Sequence, residues 1–407
     1  QRSAHQQAIA HLTAALELLN TLPESPERDG RELELASALV QVLQPTKGYS
    51  APETVEAAAR ARALAEKTGN LAQLVLQLSS ISRAAFVSGD YSRAAMVADQ
   101  LLDLAQREGS PRSLWLAHYA QFQARIPSGD PVGAEEHFAR MSGFFEAAGF
   151  RQVPNMLVSA MGNASLVAWI LGHAERSRGY VLRANVFARD SKNFYDLAYA
   201  RHHESWLYRR LREPQRAEAA ATQALALSEE HGFLFVREVA RISLGWARAQ
   251  LGSAAEGVSL IRKGLAGMAE IGARVAITDR LTVLAEALAL DGALTDALST
   301  IDDALEANPQ EVTFRPNILT CRGELQLKIG RAELAEADFR EAIALAQKMS
   351  AKAWELRATT SLARLLNEQG RRDEARGMLA EIYGWFTEGF DTADLKDART
   401  LLDQLNA

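Results

Sequence analysis

Glycines return every twenty residues along most of this chain. Gly69, Gly89, Gly109, Gly129 and Gly149 stand 20 apart, as do Gly232, Gly252, Gly272 and Gly292, and Gly330 and Gly370 continue at 40. A glycine just past a helix end takes the left-handed conformation that closes the helix, so each interval reads as one helix of about 15 to 17 residues and a tight turn. Two intervals make a helix pair. A self-similar period near 40 residues marks a solenoid, in which each unit buries its apolar face only against its neighbours.

Inside the intervals the apolar residues follow helical spacing, as in Leu281, Leu284, Ala285 and Leu288 or Phe339, Ile343 and Ala346, and no stretch shows convincing strand alternation. The pattern predicts first helices at about 31–45, 71–87, 112–126, 154–170, 196–211, 234–250, 274–290, 313–328 and 352–368. Their partners fall at about 51–67, 91–107, 131–147, 173–190, 214–230, 253–270, 293–307, 331–348 and 371–387. The expectation is one all-α solenoid over 1–407: an unpaired entry helix and loop at 1–30, nine pairs over 31–389 and a capping helix at 390–407. An unpaired first helix predicts further chain on the N-terminal side. The segment Leu22-Pro23-Glu24-Ser25-Pro26 reads as an inter-helix connection.

The stretch from Cys321 to Gln347 resembles a tetratricopeptide repeat, with Gly323 at the close helix contact, Gly330 at the turn, and Ala335, Phe339 and Ala342 at small, aromatic, small spacing. Gly292, Ala297, Ala304 and Pro309 repeat the pattern; Leu244-Gly245 with Gly252, and Gly89-Asp90-Tyr91 with Ala94, are further copies. The resemblance implies antiparallel helix pairs in a right-handed superhelix, first helices lining the concave side. Two departures are visible: the period is nearer 40 than the usual 34 residues, and Ser177 and Gly257 stand where Ala is expected.

Both ends are similar to the repeat region of large bacterial signalling ATPases. At the start the likeness rests on Ala8-Ile9-Ala10-His11-Leu12, Glu17-Leu18-Leu19, Glu32-Leu33-Glu34-Leu35 and Gly48-Tyr49-Ser50-Ala51-Pro52-Glu53; at the end it rests on Ser361-Leu362-Ala363-Arg364 and on 382–392, beginning Ile382-Tyr383-Gly384-Trp385-Phe386. That resemblance implies a sensor or scaffold arm following an ATPase or nucleotide-cyclase domain, and it brings no catalytic residue with it.

Motifs for chemistry are scarce. No Gly-x-x-x-x-Gly-Lys-Ser/Thr phosphate loop, His-Glu-x-x-His pair or Gly-x-Ser-x-Gly turn occurs, so no ATP hydrolysis, catalytic residue, metal or cofactor is predicted. The glycines between Gly257 and Gly267 lie inside a helical interval and read as helix packing. His202-His203 beside Glu204 offers ligand types, but adjacent helical residues point about 100° apart and cannot readily share one ion; an ordinary polar helix face is expected. Asn163-Ala164-Ser165 is a formal glycosylation sequon within a predicted helix, and is discounted. A single cysteine, Cys321, leaves no intramolecular disulfide and fits a cytoplasmic setting. No apolar run approaches the roughly 18 to 20 residues of a membrane span.

The net charge is −6, which excludes a chain basic throughout and disfavours nucleic acid as the partner. Charge is nonetheless uneven. Between 173 and 216 ten basic residues face five acidic ones, a local +5 that leaves −11 for the rest. Fitting the repeat around Arg212 and Ala217 puts Tyr199, His202, Trp206 and Arg209 on the concave face, with Trp169 and Trp246 at matching places in the flanking units. Aromatics with arginine in a groove suit a protein segment, an acidic peptide or an anionic small molecule. The competing reading makes the tryptophans core and the arginines a solvated face.

Overall fold

The structure, a computed structural model, describes residues 2–48, 51–144 and 156–406. Among the described residues there are twenty α-helices, a short 3-10 turn at Val312–Phe314 and no strand. An entry helix α1 (Arg2–Asn20) precedes the pairs α2 (Pro26–Lys47) with α3 (Pro52–Thr68), α4 (Leu71–Ser88) with α5 (Tyr91–Glu108), and α6 (Pro111–Arg125) with α7 (Pro131–Ser142). Next come α8 (Met156–Ile170) with α9 (Ala174–Asp190), α10 (Phe194–Arg210) with α11 (Pro214–His231), and α12 (Leu234–Gln250) with α13 (Ala254–Glu270). The pairs α14 (Ile277–Leu290) with α15 (Leu294–Glu306), α16 (Arg315–Lys328) with α17 (Ala332–Lys348), and α18 (Lys352–Glu368) with α19 (Arg372–Trp385) follow, and α20 (Ala393–Asn406) closes the chain. The chain is thus a tetratricopeptide-like solenoid with the nine pairs in their expected order.

Where boundaries differ, a local or tertiary cause is visible. Helix α2 begins at Pro26, inside the segment read as loop, because Ser25 Oγ accepts the Arg28 N–H at 3.2 Å and Pro26 suits a first turn. Helix α14 starts at Ile277 rather than 274 because the Arg274 and Val275 N–H groups donate to Val87 O at 2.8 and 2.9 Å. Helix α16 starts at Arg315 because the preceding Val312 and Thr313 N–H groups donate to Pro127 O at 2.7 and 3.2 Å. Gly149, residues 145–147 and 154–155 of two expected helices, and Tyr49 and Ser50 lie outside the described residues.

The first helices form an inner layer. Each touches its own partner, and from α8 onward each also touches the next first helix, as α8 does α10 and α10 does α12; all fifteen residues of α8 are buried. Close approach is built into the sequence. A Cβ at Gly323 would stand 2.5 Å from the Phe339 ring, and one at Gly257 would stand 2.4 Å from Gly245 O, so the glycines within α12 and α13 serve packing. Helix α4 is long and apolar enough to cross a membrane by length and composition alone, a feature the sequence reading passed over. Its Val75, Leu78 and Val87 belong to the core shared with α5 and α6.

The superhelix is tight enough for one coil to touch the next. Asn308 Nδ2 donates to Gly89 O at 2.9 Å, the Ser92 N–H donates to Gln310 Oε1 at 2.9 Å, and the Ala276 N–H reaches Tyr91 Oη at 3.1 Å across 185 residues. Further along, Arg178 forms a forked pair with Asp391 at 3.0 and 2.9 Å, and Arg212 reaches Asp397 at 2.7 Å, again across 185 residues. Of the ten cations between 173 and 216, Arg178 and Arg212 thus face carboxylates one coil away.

Candidate functional site

Tyr199, His202, Trp206 and Arg209 follow one another at helical intervals on α10 and line one interior chamber of about 1040 Å³, counting its opening to solvent. Their rings form a ladder. Tyr199 and His202 lie 5.9 Å apart at 12°, and His202 and Trp206 lie 6.2 Å apart at 15°. Phe235 of α12, Phe86 of α4 and Phe314 complete an aromatic wall, while Tyr91 and Glu311 bring in the seam.

Charged groups close the chamber on the α14 side. Asp279, 2% exposed, accepts from Arg209 Nη2, from Arg210 Nη2 at 2.6 Å and from Trp206 Nε1 at 3.4 Å. Burial alone would push its carboxyl up, but Arg209 and Arg210 overcome that and hold it at about 2, so it stays ionised. Glu311 accepts from Tyr91 Oη and from both the N–H and the hydroxyl of Thr278, at 2.8 and 2.6 Å. Burial still pushes that carboxyl up, and burial with the Glu311 charge pushes the Tyr91 phenol well up. Arg280, 9% exposed, feels the charge of both carboxylates, and its Nη1 makes no hydrogen bond. A buried guanidinium nitrogen without a partner is costly in an apoprotein and useful to an anionic ligand.

A second chamber of about 1440 Å³, again counting its opening, adjoins the first and shares Arg209 with it. Trp246 lines it, its Nε1 donating to Glu286 at 2.9 Å, and burial pushes the Glu286 carboxyl up. Trp169 lines neither chamber: 4% exposed, it packs edge-on against Trp354 at 4.5 Å. The three tryptophans expected along one groove are therefore divided between two chambers and a core contact. Between them sits Arg210, its guanidinium 5.0 to 5.7 Å from the ring centres of Trp169, Trp206, Trp354 and Phe314.

Two expectations are corrected. His202 and His203 are not a polar helix face; they are 7% and 3% exposed, and burial holds His203 at about 3 and His202 well below its ordinary value, both neutral. Arg209 and Arg210 are not solvated; they are ion-paired inside. Among the described residues no group of three or more His, Cys, Asp or Glu side chains is placed to hold a metal ion. Asn163 and Ser165 of the sequon are buried in α8.

Sequence reasoning missed Arg210, Asp279, Arg280 and Glu311. A signal existed for two of them: in α14, ITDRLTVLAEALAL, Asp279, Arg280 and Glu286 are the only charges in an otherwise apolar helix, and such charges are rarely there without a partner. Glu311 and Arg210 sit in ordinary polar surroundings in the sequence and become interior only when the coil returns.

No family model matches this chain, and no curated protein matches it. Among solved structures it is similar to a Rap protein complexed with Competence and Sporulation Factor, at 13% identity and TM-score 0.60, over 94% of this chain and 100% of that one. It also resembles NprR in complex with its cognate peptide NprX, at 12% identity and TM-score 0.49 over 70% and 84%, and yeast Tom70, at 15% identity and TM-score 0.43 over 99% and 92%. At these identities the likeness to the Rap protein establishes a shared fold over nearly the whole chain: a tetratricopeptide-like helical solenoid.

Proposed function

We propose that this chain is a non-catalytic, cytoplasmic regulatory module whose interior binds an extended acidic peptide or an anionic small molecule. The observation that carries the reading is the aromatic ladder of Tyr199, His202 and Trp206 ending beside Arg209, with Arg280 Nη1 buried and unbonded in the same chamber. Rings grip an apolar body and a guanidinium forks onto a carboxylate. The coil-to-coil seam narrows the space, which favours an extended segment over a folded domain. The similar Rap protein was crystallised with the Competence and Sporulation Factor, which supports this fold as a holder of partners. In the finer reading the module is the sensor arm of a signalling ATPase or nucleotide cyclase, and a reading frame encoding such a domain ahead of Gln1 is the observation that decides it.

The chamber is tested with variants that leave the hydrogen bonds to Asp279 in place. Acidic peptides selected on the wild-type chain from a displayed random library should bind Phe235→Ala and Arg280→Gln more weakly, by about tenfold or more, with circular dichroism unchanged. Peptides that bind both folded variants as well as wild type would place the partner elsewhere and refute the assignment.

A further inference from the structure

The second chamber has its own chemistry. Six cations line it, Arg209, Arg210, Arg212, Lys328, Arg357 and Arg364, against the four carboxylates Glu286, Glu324, Asp394 and Asp397. Two of the cations lie in deep or half-closed positions: Arg210 is 2% exposed with Nε unbonded, and Arg357, which also donates to Arg210 O, stacks on Trp169 and Trp354 with its guanidinium 4.8 and 5.4 Å from their ring centres.

The carboxylates differ in origin. Glu286 and Glu324 belong to the inner helices and are bonded there, to Trp246 Nε1 and to Ser361 Oγ, both at 2.9 Å. Asp394 and Asp397 arrive on the first turns of α20, the last helix. Asp394 accepts from Arg357 Nε at 2.8 Å and from Arg212 Nη1 at 3.4 Å; Asp397 accepts from Arg212 Nη1 at 2.7 Å and pairs with Arg364 at 3.6 Å. Without them six cations, two of them already paired with Asp279, would face the two lining carboxylates Glu286 and Glu324.

We propose that the second chamber is a site for a small multivalent anion, bearing two or more phosphate or carboxylate groups, and that Asp394 and Asp397 are its built-in substitute. A ligand of that class takes Arg212, Arg357 and Arg364 from the two aspartates and frees α20 from the coil it is clamped to. The inference rests on the interior being a ligand space, and it adds a chemical class and a moving part. The two pairs of Asp397 are half-exposed, so each is weak alone and open to competition, while the Arg357–Asp394 pair lies deeper; several phosphates presented together gain from all three arginines at once.

The test is calorimetric titration of the chain with tripolyphosphate and, separately, with citrate, which distinguishes phosphate from carboxylate as the preferred group. Asp397→Asn should bind the preferred probe about two- to fivefold more tightly than wild type, because a competitor is removed. Arg364→Gln, at a half-exposed position that spares the core, should bind it more weakly, and hydrogen exchange of α20 should accelerate on saturation. A salt bridge that is only structural predicts loss of stability in Asp397→Asn with unchanged affinity, and that outcome overturns the proposal. So does the absence of binding at millimolar probe in both wild type and Asp397→Asn, or protection of α20 by the probe. None of these outcomes touches the peptide result at Phe235, so a failure here is told apart from a failure of the aromatic chamber.

Discussion

The imidazole of His203 is packed into the slot that Gly162 leaves on α8, where a Cβ would stand 2.1 Å from the ring, and burial lowers its folded pKa from 6.5 to about 3. The unfolded chain therefore binds a proton below pH 6.5 that the folded chain refuses, so stability is full above that value and falls as pH drops toward 3. Each pH unit in that window costs about 1.4 kcal/mol for this one group, and His202, shifted the same way by burial and by its neighbour, adds to the slope. Asp279 acts lower down, since its ordinary value is 3.8, so the histidines dominate between pH 6 and 4. In urea titrations at pH 7, 6 and 5 the His203→Gln variant should be less stable at pH 7 yet show a slope shallower by about 1.4 kcal/mol per pH unit. A slope equal to wild type would mean that His203 takes its proton without unfolding.

At the scale of helices and turns, the gap in the glycine series has a simple cause. Between Gly172 and Gly232 the chain closes its helices at Lys192 and Arg212, with φ of 53° and 60°, and between Gly330 and Gly370 it does so at Ser350, with φ of 55°. The twenty-residue rhythm continues there in backbone conformation without glycine. Non-glycine residues bear about 1–2 kcal/mol of strain in this region, of which the flexibility that glycine brings to the unfolded chain returns part. Lys192→Gly, at an exposed site, should leave stability unchanged or raise it by up to about 1 kcal/mol in thermal melts; a clear loss would show that the lysine side chain holds something in place. These three turns also show what a sequence can disclose. Helix existence and pairing depend on spacing within one interval, and the nine pairs could be read from it. The starts of α14 and α16 depend on Val87 O and Pro127 O, roughly one superhelical turn earlier, and no local pattern announces that. The candidate site divides in the same way: Tyr199, His202, Trp206 and Arg209 could be placed from the repeat of their own helix, whereas Asp279 and Arg280 join them from α14, two pairs further on, and Glu311 meets Tyr91 through the return of the coil.

In the whole molecule the seam sets this chain apart from an open solenoid, whose units feel only their neighbours. Glycines at the turns report on it. Gly109 and Gly172 both have positive φ, 80° and 92°, but a Cβ at Gly109 meets nothing within 4 Å, while one at Gly172 would stand 2.6 Å from Trp385 and 3.1 Å from Phe386 and Lys352 in the next coil. Both alanine variants incur the left-handed strain, and Gly172→Ala adds about 1–3 kcal/mol of overpacking. Its urea midpoint should fall well below that of Gly109→Ala; equal midpoints would mean that the coils part freely. The seam also bears on time. A trough open along its flank exchanges its contents at the encounter rate, whereas a flank stitched from Gly89 to Asp397 has to be loaded from its ends or by prising coils apart. Association should then run below the usual range of about 10⁵–10⁷ M⁻¹s⁻¹, and departure should be gated by the same opening. A module built this way would register how recently its ligand was present rather than how much is present now.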